Sequence, residues 1–333
     1  MSGSIARRPG RFSRLALRVM APGHRVCATG FIAMALLSGC TFQDAISAGS
    51  RPVSCHPVSS LLPLSPEIPE SSGLVFGVEH PQLLWSMNDS GGAPELFALD
   101  RNGRLVGRVR VAGARNVDWE DMAQGTCPAG APLGPPSPAG RRRSEDRSCL
   151  YLADVGDNLE VRSVLTIYRV PEPHPRDLST EVATAFPIRF PHGPRDVEAM
   201  FLLPGEQLYL VTKGRNHPVD VYRYPGTLRA HELVTLEWIR DLTEGAPRGP
   251  GLVTGGSVTR AGDVVALRSY ASLLLYGVAD DFRPLLEVNL LPLREPQGEA
   301  VAFGPGDTIA VSSERGPGAV QLGSLLFLSC PGL

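Results

Sequence analysis

The sequence predicts an all-β fold, a β-propeller of five four-stranded blades whose ring is closed by an N-terminal strand, on three observations. The first is a recurring acidic signature, in which a Glu among small residues opens an apolar, strand-length run ending in a polar, Gly-rich corner. Copies begin near Glu70 (ESSGL), Glu120 (WEDMA), Glu198 (VEAM) and Glu299 (GEAVAF), while a degenerate copy near Thr254 (TGGSV) has lost the acid. The second is a series of short β-branched or aromatic runs punctuated by Gly, Pro, Asp and Asn, with no sustained helical period. The third is composition: 36 Gly and 31 Pro in 333 residues suit many strands joined by turns. Self-similarity at a regular period marks a repeat architecture, and a closed ring of such units brings equivalent residues to one axis.

In chain order, residues 1–39 read as a targeting segment. Arg7, Arg8, Arg11, Arg14 and Arg18 precede an apolar stretch from Val26 to Leu37, which ends in Leu37-Ser38-Gly39-Cys40. A basic region, an apolar region and small residues before the cut make a secretory signal. Leu-Ser-Gly-Cys resembles the bacterial lipobox, which implies that Cys40 becomes the lipidated first residue of the mature chain, whether translation starts at Met1 or Met20. The apolar run falls short of the roughly 20 residues that span a bilayer, and an uncleaved signal anchor is the alternative. Thr41 stands where an Asp would direct inner-membrane retention, so the outer membrane is the expected destination in a Gram-negative cell. Residues 40–54 form the lipidated cysteine and its tether.

The folded domain spans residues 55–333 in units of about 70–113, 117–192, 196–241, 252–294 and 297–330. Six blades fit the same spacing with one more unit counted, and an irregular β-sandwich is the other arrangement of this strand content. The last unit stops after three strands, and residues 55–65 supply the missing one. Closing the ring in this way removes exposed sheet edges. Four cysteines, Cys55, Cys127, Cys149 and Cys330, allow three pairings. Cys127 and Cys149 bracket one insertion and Cys55 and Cys330 lie near the ends of the domain, so Cys127–Cys149 and Cys55–Cys330 are the expected bridges, in an oxidising compartment. Residues 128–147, rich in Pro, Gly and Ala and then in Arg, cannot form a core and read as a disordered insertion in the second blade.

The near-neutral balance, formally −2, gives no electrostatic footprint for nucleic acid. The recurrent acids, with Asn88, Asp89, Asp154, Asp157, Asn158 and Glu314 at the ends of second strands, offer the oxygen ligands that a hard cation wants. Lys213, Arg268 and Arg315 are placed to meet an anion opposite them. Asp-Ser-Gly-Gly and Gly-Asp-Asn are also ordinary turn chemistry, and glutamates pairing with arginines between blades would need no ligand. No Gly-x-Ser-x-Gly elbow, His-Glu-x-x-His motif or nucleotide-cradling Gly-rich loop is present.

The segments ESSGL (70–74), LWSMNDSGG (84–92), NVDWEDMA (116–123), YLADVGDN with Arg162, YRVPEP (168–173), DVEAM (196–200) and GEAVAF (299–303) together resemble a group of bacterial exported β-propellers described as phytase-like or esterase-like. That resemblance implies an acidic mouth in which calcium ions hold and activate phosphate. Matched by motif position, Glu70, Asp89, Glu120, Asp157, Glu198 and Glu299 are the implied calcium ligands, and Lys213 and Arg268 the implied phosphate contacts. Glu120, Glu198, Lys213 and Arg268 are the candidates for any catalytic role. The chain departs from the group at Thr254-Gly255-Gly256, where an acid is expected, and in its count of five units rather than six. The expected function is therefore a lipid-anchored envelope propeller that binds a divalent cation and a small anionic ligand at its polar mouth, as a phosphoester hydrolase or as a binder alone. The alternative is a non-catalytic scaffold that meets a protein partner, and a metal-independent lactone or sugar-ester hydrolase is a third reading.

Overall fold

The computed structural model describes residues 53–128, 147–244, 251–316 and 321–333. The targeting segment, Cys40, most of the tether and the interior of the 128–147 insertion lie outside the described residues.

The described residues form five sheets, four with their strands in sequence order and the fifth completed from the N-terminus, and the innermost strands of successive sheets touch all the way round, the fifth returning to the first. Blade 1 comprises Ser71–Phe76, Leu84–Asn88, Glu95–Leu99 and Leu105–Arg110. Blade 2 comprises Trp119–Thr126, Ser148–Asp154, Leu165–Pro171 and Thr184–Arg189. Blade 3 comprises Val197–Leu203, Gln207–Thr212, Asp220–Arg223 and Glu237–Asp241, and blade 4 Val253–Val258, Val264–Ser269, Ser272–Gly277 and Arg283–Asn289. Blade 5 has three strands of its own, Gln297–Phe303, Thr308–Glu314 and Ser324–Ser329. The short strands His56–Pro57 and Leu62–Pro63 complete it by pairing with Ser324–Ser329. The five-blade count and the N-terminal closure both hold, and so do the two bridges, Cys55–Cys330 and Cys127–Cys149.

The inner two strands of a blade are sandwiched between neighbouring blades, so both their faces are buried. Ser148–Asp154 is buried at every position. For that reason these strands read as continuous apolar runs, whereas the outer strand of blade 4 alternates and is largely exposed. The core divides accordingly into five clusters, one at each blade interface. Trp85, Trp119 and Met122 pack between blades 1 and 2, and Tyr151, Phe186 and Tyr222 between blades 2 and 3. Phe201 and Tyr276 join blades 3 and 4, Leu275 and Val311 blades 4 and 5, and Phe76 and Leu325 blades 5 and 1.

Two outer edges are covered by the chain that follows. Residues 178–180, on the connection to the outer strand of blade 2, pair with Arg110 at the edge of blade 1. Val234–Thr235, on the corresponding connection of blade 3, adds a parallel fifth strand to the edge of blade 2. Neither strap is foreshadowed in the sequence.

The axis itself is filled. The Asp121 carboxylate is fully buried there and accepts backbone N–H groups from three blades: Met122 at 2.8 Å, Met200 at 2.7 Å and Gly256 at 2.9 Å. Small residues admit this closeness. A Cβ on Gly255 would lie 2.5 Å from the Glu299 carbonyl oxygen, and one on Gly73 would lie 2.8 Å from the Met122 nitrogen. Gly73 also has φ of +62°, where side chains are disfavoured. Gly73→Ala is expected to destabilise the protein by about 2 kcal/mol or more, through strain and overpacking together, as read by denaturant unfolding. A loss below about 0.5 kcal/mol would mean that blades 1 and 2 separate freely at this point.

Candidate functional site

Every innermost strand begins at the same end of the ring, and each slips register by one residue near that end. The slips fall between Ser72 and Leu74, Trp119 and Asp121, Val197 and Ala199, Val253 and Gly255, and Gly298 and Ala300. Such a bulge leaves one residue out of the ladder and re-aims its side chain. The residues left out of the ladder are Gly73, Glu120, Glu198, Thr254 and Glu299. An acid therefore occupies this position in blades 2, 3 and 5, a hydroxyl in blade 4 and a glycine in blade 1. Thr254 Oγ1 donates to the carbonyls of Gly298 (3.0 Å) and Glu299 (3.1 Å), and Ser72 Oγ donates to the Glu120 carbonyl. Each hydroxyl fastens the backbone of the next blade where that blade carries its acid. The degenerate fourth copy thus has a structural task.

Glu70 occupies a different place from its supposed equivalents. It precedes the first strand, is exposed, and its N–H reaches Asn88 Oδ1 at 3.2 Å. It stands on the rim, close enough to Asp89 and Glu314 to raise their pKa values.

The well inside that rim has two sides. On one side Asp89, Asp118 and Glu120 bring carboxylate oxygens within 4.8 Å of one another. Asp89 follows the second strand of blade 1, Asp118 lies on the connection into blade 2, and Glu120 is the blade 2 bulge residue. Backbone presses on this cluster: a Cβ on Gly156 would fall 2.1 Å from Glu120 Oε1 and 2.5 Å from Asp118 Oδ2. On the other side Glu198 pairs with Lys213, and Gln297 Nε2 bridges Glu299 Oε1 (2.9 Å) and Glu314 Oε2 (2.6 Å). Tyr270 belongs to this side as well, within the field of Glu299, Lys213 and Glu198.

Burial and mutual repulsion lift these acids. Desolvation first, then the Asp118 charge, pushes Asp89 up to about 7. Desolvation, then Glu198, Asp89 and Asp118, holds Glu120 well above the usual carboxylate range, and desolvation with Glu314 and Glu198 does the same to Glu299. Glu314 rises to about 7 through desolvation and the charges of Asp89 and Glu70, and Glu198 rises to about 7 through desolvation against the opposing pull of Lys213. Burial lowers the Lys213 ammonium, but the Glu198 carboxylate beside it outweighs that and keeps it above its ordinary value. Lys213 is accordingly a fixed charge committed to Glu198, not a proton acceptor.

Two predicted residues are engaged by partners within the fold. Asp157 Oδ2 accepts the Arg162 N–H at 2.6 Å and closes its own loop. Arg268 is completely buried between blades 4 and 5. It pairs with Glu295 at 2.6 Å and donates to the carbonyls of Ala300 and Ser312, both at 3.1 Å. Its guanidinium fills the space left by Gly298, where a Cβ would lie 2.0 Å from Nη2. Arg162, by contrast, enters the wall of the well, donating to Asp154 Oδ1 at 2.9 Å and the Gly156 carbonyl at 2.6 Å.

Sequence reasoning missed Asp196. It is buried, its Oδ1 accepts the Asp157 N–H at 3.1 Å, and its Oδ2 has no hydrogen-bond partner among the described residues; the same is true of Asp89 Oδ1. Asp196 precedes Glu198 by two residues, and only the convergence of loops reveals that it neighbours Asp118.

A pH dependence follows for the cation-free protein. Its raised carboxyls hold protons that the unfolded chain has released by neutral pH, so the folded state binds more protons between about pH 4 and 7. Stability should therefore fall as pH rises from 5 to 8. Melting midpoints across that range test it, and a rising midpoint would contradict the cluster.

No family profile and no curated protein sequence matches the chain. Among solved structures, it is similar to a PQQ-bound aldose sugar dehydrogenase from Streptomyces coelicolor, with a TM-score of 0.49, 10% identity, and coverage of 84% of this chain and 98% of that one. It is also similar to a gluconolactonase from Xanthomonas campestris, with a TM-score of 0.40, 13% identity, and coverage of 78% and 72%. A streptogramin B lyase matches with a TM-score of 0.39 and 9% identity over 84% of this chain and 98% of the other. Likeness at this level carries nothing about activity.

Proposed function

We propose that the chain is an exported, lipid-anchored propeller that holds a divalent cation, calcium, at Asp89, Asp118 and Glu120 and binds a small anionic ligand through it, with phosphoester hydrolysis as the activity to assay. The observation that carries this reading is the three-carboxylate cluster, whose partly buried Asp89 leaves one oxygen unpartnered. Carboxylates this close repel unless protonated or bridged by a cation, and hard cations take such oxygens. The donor set fits calcium: oxygen only, with Asp196 and Glu198 nearby to complete a larger shell.

An anion has little else to hold it. Lys213 is spent on Glu198 and Arg162 on Asp154. The bound cation would supply the positive charge that polarises a phosphoryl oxygen. The residues themselves orient the head group: Lys213 and Tyr270 face it across the well, and Gln297 holds Glu299 and Glu314 back. The basic and apolar leader and the lipobox-like Leu37-Ser38-Gly39-Cys40 support an envelope location, at the outer membrane of a Gram-negative cell.

Thermal unfolding with calcium and then chelator tests the centre. A cation that binds only the folded protein adds roughly 2.7 kcal/mol at a hundredfold excess over its dissociation constant. Asp118→Asn and Glu120→Gln should lose that gain yet be more stable than wild type without calcium at pH 8, since each removes a charge from a repulsive group. Gly156→Ala should also lose the gain, because its Cβ displaces the Glu120 and Asp118 carboxyls. If neither calcium nor chelator moves the midpoint, the cation reading fails and the mouth becomes a surface for a protein partner.

A further inference from the structure

The second strand of blade 2 ends in the mouth at Asp154, so residues 155–164, which lead to the third strand, lie on the mouth face. The corresponding connections of blades 1, 3 and 4 are residues 89–94, 213–219 and 270–271. The blade 2 connection is the longest of these, and it is rigidly fastened. Asp157 Oδ2 accepts the Arg162 N–H at 2.6 Å, and the Asp157 carbonyl accepts the Glu160 N–H at 2.7 Å. The Arg162 guanidinium turns beneath the loop to the Gly156 carbonyl and Asp154. From blade 3, Arg215 holds Asn158 Oδ1, and His217 Nε2 lies 3.3 Å from Glu160 Oε2.

With its polar side chains tied down, the loop presents apolar ones outward. Leu159 is 82% exposed and Val161 70%. Val117 extends the apolar surface from the connection whose Asp118 carbonyl holds the N–H groups of Val155 and Gly156, each at 3.1 Å. Glu160, between the two, has φ of +51°, an uncommon conformation for a residue with a side chain. The loop backbone that carries Leu159 and Val161 is fixed by the bonds of Asp157, Asn158 and Arg162. Scattered exposed apolar residues need no explanation. Here, however, they stand on a braced ledge, a loop whose Gly156 lies directly against Asp118 and Glu120. The well beneath is blind, because Asp121 and the touching innermost strands of blades 1, 2 and 4 fill the axis. A ligand can enter only end-on, leaving the rest of it across the rim.

We infer that the ligand of this mouth is an amphiphile, whose anionic head descends to the carboxylate well and whose hydrocarbon part lies over Leu159 and Val161. The inference rests on the cation-assisted reading of the well. Its recognition is divided: the well selects the oxyanion, and the ledge selects for chain length.

Calorimetry of the purified protein in calcium with methyl, butyl and octyl phosphate tests this. Half-covering each of the four extra methylenes should make octyl phosphate bind roughly tenfold more tightly than butyl phosphate. Leu159→Ser/Val161→Ser, two exposed positions whose replacement leaves the fold intact, should abolish that increment. The double variant should keep wild-type affinity for methyl phosphate and the wild-type response of the melting midpoint to calcium. Equal binding of all three phosphates by the wild type overturns the ledge and leaves the well standing. If the double variant loses sedimentation with phosphatidylcholine vesicles while the three phosphates bind alike, the ledge meets a bilayer and the inference also falls. If no phosphate binds and calcium leaves the midpoint unmoved, the cation centre fails and this inference falls with it.

Discussion

Asp121→Ala is expected to cost about 5 kcal/mol, because it strands the N–H groups of Met122, Met200 and Gly256 in a fully buried site, at about 1–3 kcal/mol each. That is a large part of the roughly 5–15 kcal/mol by which whole domains are typically stable. The three donors belong to three different blades, so the carboxylate ties together strands that share no ladder. Asp121→Asn is expected to lose less: its oxygen can keep Met200 and Gly256 while its amide nitrogen faces Met122. Denaturant unfolding at constant slope reads both variants. If Asp121→Ala lost less than about 1 kcal/mol, packing of the innermost strands alone would hold the axis.

Removing the Cys55–Cys330 bridge by Cys55→Ser/Cys330→Ser should have an effect of similar size. The bridge spans 275 residues and the Cys127–Cys149 bridge 22. On the chain-entropy account, the long loop restricts the unfolded chain more, by roughly 2 kcal/mol relative to the short one, with a total cost of about 5 kcal/mol. The pairing of His56–Pro57 and Leu62–Pro63 with Ser324–Ser329 should survive, since the loss acts on the unfolded state. Paired double variants compared by denaturant midpoint settle the order. Equal losses from the two bridges would mean that the closing strands, not the covalent link, keep the ring shut.

The ring was legible because burial on both faces makes the inner strands continuously apolar, and because Cys55 and Cys330 flank the two segments that meet. What stayed hidden depends on one-residue offsets and on distance. In blade 1 the acid of the motif, Glu70, precedes the strand, and Gly73 takes the bulge position that Glu120 and Glu198 hold in blades 2 and 3. Motif matching aligned the letters, while the bulge decides which side chain turns inward. Arg268 looks like a rim residue in VVALRSY, yet opposite it stands Gly298, whose missing side chain makes room for a guanidinium between blades. Only a neighbour thirty residues away shows this. Asp196 reads as an unremarked strand leader, and its burial beside Asp118 comes from the packing of blade 3 against blade 2. The fifth strand of blade 2 is two residues long and parallel, with no alternation to announce it.

The straps on blades 1 and 2 bear on how such a chain comes into being. A polypeptide emerges N-terminus first, from a ribosome or a translocation pore, and a finished sheet with a bare edge is open to wrong partners while it waits. Blade 1 receives its cover from residues 178–180 and blade 2 from Val234–Thr235, each delivered within the next unit to appear. The second and third units therefore each shield the one before, and the early assembly acquires a direction. The N-terminal strands wait longest, holding the place that the last blade will need.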